Sequence, residues 1–141
     1  YTDEWLEEQN ARENTPRRFR GKEYTTYEAT QKQRQMETAM RARREQVQLL
    51  RAGGADKEDI TIARCKYQAQ LEQYRSFSKA MGLEQTERIY TGRTPGRISP
   101  SPQVYAQWQA EQADKAANRA KERAEKQRRA AQDAAQKGAS T

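Results

Sequence analysis

Arginine and lysine are the side chains best placed to do chemistry in this sequence, and that chemistry is the grip of a polyanion. Arg17, Arg18, Arg20 and Lys22 fall within six residues. Arg41, Arg43 and Arg44 form a second group, and the run from Lys115 to Arg129, which includes Arg128, a third. Basic groups beside Phe19 and Tyr24 suit phosphate contact together with base stacking. Acidic residues interrupt the third group, and Glu37 and Glu45 flank the second. Three readings therefore stay open: a solvated helix face, contact with nucleic acid or another polyanion, and contact with an acidic protein surface. If DNA is the partner, binding is expected to be sequence-independent and salt-dependent.

Catalytic constellations are absent from the sequence. It contains no histidine, which removes the commonest general base and metal ligand and leaves no Ser-His or Cys-His nucleophile pair. Gly92 to Arg97 has the wrong spacing for a phosphate-binding loop and lacks its Lys-Ser/Thr. Carboxylate pairs such as Glu7 and Glu8 fall on an expected exposed helix. The single cysteine, Cys65, excludes an intrachain disulfide and reads as a structural thiol within a helix, with a reactive thiol as the lesser alternative. Tyr67, Tyr74 and Phe77 recur at helical spacing, which favours a core over base stacking. The expectation is a protein that is not an enzyme, with no cofactor, no metal and no small-molecule substrate.

The elements that position these residues are helical. Leu, Ile, Val and Phe total 13 of 141 residues. That is well below the roughly 20% at which a chain begins to look unable to fold alone. Mean hydropathy is −1.35 and the net charge is +7. Much of the positive excess lies in residues 93–141, with 10 basic and 5 acidic groups. Partners could supply the missing buried surface. No apolar run approaches the roughly 20 residues of a membrane span and no signal-peptide core opens the chain. It reads as soluble, and its start at Tyr1 suggests a fragment or a processed product.

Thr2 or Asp3 can cap a short first helix, with Glu4, Glu7 and Glu8 at the positive end of its dipole, and Asn14-Thr15-Pro16 ends it. Residues 17–24 centre on Gly21 and fit a small hairpin or loop. Thr25 and Glu28 have capping-box spacing, so a long helix is expected to about Ala52. Its apolar stripe is Met36, Met40, Val47 and Leu50, with Arg43 in the missing step. Gly53-Gly54 supplies a left-handed stop. Asp56 is expected to cap the next helix, which carries Ile60, Ala63, Tyr67, Leu71, Tyr74, Phe77 or Ser78, and Met81 at steps of three and four. Gly82 ends it, with Leu83 placed for a Schellman contact. The link between these two helices is so short that they must be antiparallel neighbours.

Arg88 to Thr91 fits a short strand. Residues 94–102 hold three prolines and are expected to be a non-helical linker. From Gln103 to about Lys137 the chain is expected to be one helix. Ala106, Ala110, Ala113, Ala117, Ala120, Ala124, Ala131 and Ala134 fall at alternating steps of four and three, with Gln127 in the one gap. That is a heptad seam built of alanine. It has two readings: helix propensity in an exposed tail, or a seat for a close-packed partner helix. Glu111/Lys115, Glu122/Lys126, Glu125/Arg129 and Asp133/Lys137 add four favourably oriented pairs, each worth about 0.2–0.5 kcal/mol. The fold class expected is mostly α: an antiparallel helical hairpin with small hairpin or loop elements and a long C-terminal Ala-rich helix. The expected divisions are 1–92, a linker at 93–102, and a basic tail at 103–141.

Several segments occur in an order and spacing that resemble a known family. They are Asn10 to Pro16, Gly21 to Thr25 with Tyr27 to Ala29, Gln31 to Arg34, Gly53 to Asp56, and above all Phe77-Ser78-Lys79-Ala80-Met81-Gly82-Leu83. Together they resemble the C-terminal part of phage minor capsid protein 2, a head protein of tailed phages and prophages of Gram-positive bacteria. The resemblance covers about residues 1–92. It implies a virion component encoded near the portal and major capsid genes, present in the host cytoplasm during assembly. It implies partners among other phage head proteins, the portal and the major capsid protein, and no assigned active site. The expected function is therefore a structural, portal- or head-associated component that acts by protein–protein packing. The alternatives are a non-specific DNA-binding module in packaging or ejection, and a phage-encoded regulatory protein that binds a host target.

Overall fold

A computed structural model describes residues 2–85 and 98–139, and the side chains of these apart from residues 9–14. The strand expected at Arg88 to Thr91 and the linker residues 93–97 lie outside the described residues. The chain divides into two compact units, Tyr1–Pro100 and Ser101–Thr141.

In the first unit, helix α1 spans Asp3–Asn14 and is capped by the Thr2 hydroxyl, which accepts from the Trp5 amide. Strands β1 (Arg17–Phe19) and β2 (Lys22–Tyr24) then form an antiparallel ribbon that pairs Arg17 with Tyr24, Arg18 with Glu23 and Phe19 with Lys22. Two residues, Arg20 and Gly21, close the turn, and both have positive φ, 50° and 79°. That is the backbone signature of a type I′ turn, whose twist suits a two-residue hairpin. Glycine adopts it freely, whereas an L side chain at Arg20 costs about 1–2 kcal/mol.

Helix α2 covers Thr26–Ala52 and begins with the expected capping box. The Thr25 hydroxyl accepts from the Glu28 amide at 3.2 Å, and the Thr25 amide donates to Glu28 Oε1 at 3.3 Å. Its end is a Schellman stop in which the Ala55 amide reaches Leu50 O at 3.0 Å and the Gly54 amide Arg51 O at 3.3 Å. The left-handed residue is Gly54, while Gly53 keeps right-handed helical geometry.

Helix α3 covers Lys57–Met81. Asp56 occupies its N-cap position, but its side chain makes no capping hydrogen bond, which corrects the role expected of it. The C-terminal stop at Gly82 is as expected. Gly82 has φ 67°, its amide donates to Lys79 O, and the Leu83 amide donates to Ser78 O. Leu83 packs on the core, as a hydrophobic residue at that position should.

α2 and α3 form the antiparallel hairpin. Gln33 on α2 meets Ser78 on α3, and one turn on, Glu37 meets Tyr74. Each step of four forward along α2 is matched by a step of four back along α3. The core between them holds Ala29, Met36, Met40, Val47, Ala63, Tyr67, Leu71, Tyr74, Phe77 and Met81. Burying one such large side chain is worth about 1.5–3 kcal/mol. The missing step of the α2 stripe is filled by buried Arg44 as Arg43 stays half-exposed, so the expectation for Arg43 was one residue out.

Part of the expected linker belongs to this unit. Ile98 is buried in its core, and Arg64 on α3 donates through Nε to Ile98 O at 2.9 Å and through Nη2 to Ser99 O at 3.0 Å. Two parallel donors suit the planar guanidinium fork, which holds this returning segment on α3.

The second unit is helix α4, Pro102–Ala139, about 57 Å long at 1.5 Å per residue. It begins one residue earlier than expected. Pro102 opens the helix, because proline at the first helical position forfeits an amide that has no partner there anyway. Ser101 caps it, its hydroxyl accepting from the Val104 amide at 3.3 Å. Tyr105 is buried and its ring stacks on Trp108 at 5.9 Å.

Candidate functional site

The densest group of cations stands on the β1–β2 ribbon, and aromatic packing fixes that ribbon to α3. The Phe77 ring is met edge-on by Phe19, centroids 5.3 Å apart, and by Tyr24, at 5.2 Å. Edge-to-face contacts of this kind add about 0.5–1.5 kcal/mol each beyond burial. Strand alternation puts Arg17, Phe19, Lys22 and Tyr24 on one face of the ribbon and Arg18 and Glu23 on the other.

Each ribbon cation therefore has a distinct setting. The Arg17 guanidinium lies against Gly82, where an added Cβ would overlap it. There it also faces the negative end of the α3 dipole, worth about 0.3–1 kcal/mol for an exposed cation. Arg18 pairs with Glu23 at 3.2 Å, and both side chains are largely in water. Arg20, at the turn, lies 5.2 Å from the Phe19 ring centroid, and Lys22 lies 5.1 Å from that of Tyr24. All four cations are solvent-exposed.

This geometry corrects one expectation. Phe19 and Tyr24 are half-buried, engaged with Phe77 and overlaid by the ribbon's own cations. Each ring is half-buried against Phe77 and has a ribbon cation over it, which leaves little of it for a base to stack on. Tyr67, Tyr74 and Phe77 are buried core residues, and Cys65 is a fully buried thiol.

The other basic groups are dispersed. Arg41 is exposed and donates to the Thr38 hydroxyl at 3.2 Å. Arg43 is half-exposed, whereas Arg44 is buried at 9% exposure and is withdrawn from any surface contact. On α4, Arg128 is exposed and Arg129 pairs with Glu125 at 2.7 Å. Ala106, Ala110, Ala113, Ala117, Ala120, Ala124, Ala131 and Ala134 are exposed throughout.

The segment Phe77 to Leu83 is where the parts of the first unit meet. Phe77 holds the ribbon and Ser78 faces α2. Met81 enters the core, Gly82 turns the chain beside Arg17, and Leu83 seals the stop. Lys79 and Ala80 face solvent. Arg75, Ser76, Lys79, Leu83, Glu84 and Gln85 line an open groove of about 660 Å³ beside it.

Pattern reading missed the buried polar residues of α2. Gln33 Nε2 donates to Ser78 Oγ at 3.1 Å and to Glu84 O at 2.8 Å, and Glu37 accepts from Tyr74. A signal was present: a tyrosine at a core position needs an acceptor for its hydroxyl. Among the described residues, no group of three or more Cys, Asp or Glu side chains converges as a metal site would, and no helix is long and apolar enough to cross a membrane.

No family model, no curated protein and no solved structure matches this chain.

Proposed function

We propose that this protein is a non-catalytic assembly component that acts by packing against other macromolecules, and that its setting is the head of a tailed phage or prophage. The observation that carries the packing role is unfinished apolar surface. The chain has 13 Leu, Ile, Val and Phe residues, yet it leaves Leu6, Leu49, Ile62 and Val104 exposed, together with Trp5 and Tyr27. Covering them on a partner would add buried apolar area at about 25 cal/mol per Å². The exposed alanine seam of α4 adds a face on which a second helix backbone could approach closely. The phage setting rests on the resemblance of residues 1–92 to minor capsid protein 2. The portal and the major capsid protein are its proposed partners.

Mass spectrometry of gradient-purified phage particles tests this reading. The tryptic peptide spanning residues 67–75 is expected in particles from cells that encode the chain. Its presence in the lysate together with its absence from the particles would refute the phage setting. An uncovered Leu49 or Trp5 in every complex recovered would refute the packing role.

A further inference from the structure

We infer that the β1–β2 ribbon is a contact site for the phosphate backbone of duplex nucleic acid, read without sequence preference. This goes beyond the assembly role and does not depend on it. Three observations point the same way.

The first is charge density. Residues 17–24 hold four cations and one carboxylate, all exposed. Three of the cations are arginines, whose planar fork matches phosphate oxygens.

The second is strain at the tip. Arg20 sits at φ 50°, in a turn position where Asn, Asp or Gly is at ease. A long cation held in a left-handed conformation is a local departure from the turn's own preference, and such departures cluster at functional sites.

The third is the commitment of the aromatics. Phe19 and Tyr24 are engaged with Phe77, so the ribbon offers charge without an aromatic anchor. A protein interface draws on aromatic or arginine anchors buried in fitted pockets, whereas these cations stand exposed, and isolated exposed ion pairs contribute little to such an interface. Against a polyphosphate the same charges act through counterion release, which needs no apolar contact. With Phe19 and Tyr24 half-buried and each carrying a cation over its ring, stacking has little to work with and duplex is favoured over single strand.

The test is the binding of the full chain to a short labelled duplex DNA, followed by fluorescence anisotropy across salt. Wild type is expected to bind with a slope of log affinity against log salt of about −3 or steeper. The triple variant R18Q/R20Q/K22Q, which spares Arg17, is expected to lower that slope by about 2–3 and to weaken low-salt binding about tenfold or more. Arg20→Asn suits the turn better than the native residue. It is expected to keep or raise the melting temperature while weakening DNA binding, a combination that a purely structural cation–π role would not produce. If the triple variant loses its helical circular dichroism, Arg20→Asn alone carries the comparison. Unchanged affinity and slope in both variants would overturn the inference. So would binding to poly-glutamate as tight as to DNA, which assigns the ribbon to an acidic protein, and so would a preference for single strands.

Discussion

Tyr74 on α3 donates its phenolic hydrogen to Glu37 Oε1 on α2 at 3.2 Å, and both side chains are buried. One turn away Gln33 gives both amide hydrogens to α3 and its exit, to Ser78 Oγ and Glu84 O. The helical hairpin is thus zipped by polar contacts as well as by its narrow apolar strip. Polar contacts of this sort fix register, because a shifted pairing would break hydrogen bonds between buried groups.

Tyr74→Phe is therefore expected to destabilise the protein by roughly 1–3 kcal/mol, since it removes a donor from a buried carboxylate. Glu37→Leu combined with Tyr74→Phe replaces both members by apolar groups and is expected to recover part of that loss. Urea denaturation of the four members of the cycle measures it. Additive losses would show that the two side chains do not depend on each other.

The ribbon should detach before the helices part. Phe77→Ala removes the ring that both Phe19 and Tyr24 contact, and a large-to-small change at a fully buried site costs about 3–5 kcal/mol. Phe77→Leu keeps most of the volume and loses the edge-to-face contacts, so a smaller cost of about 1–2 kcal/mol is expected. Amide hydrogen exchange checks the order of events. Phe77→Leu should raise exchange in residues 17–24 well before α2 and α3, and uniform exchange across all three would contradict the docking described.

Gly82→Ala meets two obstacles. The residue sits at φ 67°, and the new Cβ would overlap the Arg17 guanidinium. The left-handed backbone alone costs about 1–2 kcal/mol. Arg17 can swing away, so the double variant Arg17→Ala/Gly82→Ala should recover the steric part and keep the backbone part. Thermal melts of both variants separate the two contributions. Full recovery in the double variant would place the whole cost in the clash.

Much of this fold was legible because its punctuation is local. Thr25 and Glu28, Gly54, and Gly82 with Leu83 act within a few residues of themselves, so spacing alone reveals them. The α3 stripe was legible for a related reason, since Tyr67, Leu71, Tyr74 and Phe77 are large and apolar at one helical period. The α2 face was harder. Three of the seven residues it buries are Gln33, Glu37 and Arg44, and a search for apolar periodicity passes over polar residues such as Gln33 and Glu37, whose partners lie some 40 positions away. A strict alternation of three and four points to Arg43, whereas the buried positions run Met36, Met40, Arg44 and Val47. Pro102 looks like a helix breaker in sequence because proline in a helix interior is one, and its tolerance at a first position depends on where the helix starts. At the candidate site, the clustering of Arg17, Arg18, Arg20 and Lys22 was visible in the sequence. The commitment of Phe19 and Tyr24 to Phe77 was not, because it depends on a contact across more than 50 residues.

The alanine seam of α4 yields the prediction that separates assembly from stability. Ala117 and Ala124 are exposed, and surface substitutions away from caps and cores change stability by at most about 0.5 kcal/mol. Glutamate also has good helix propensity. Ala117→Glu/Ala124→Glu is therefore expected to leave the circular dichroism spectrum and melting temperature of the isolated chain unchanged. If a partner helix packs on that seam, two buried carboxylates would oppose its approach, because close alanine-mediated packing leaves them no water. Incorporation of the variant into purified particles should then fall sharply beside wild type expressed at the same level. Normal incorporation would mean that the alanines serve helix propensity alone and that assembly uses the exposed apolar residues of the first unit.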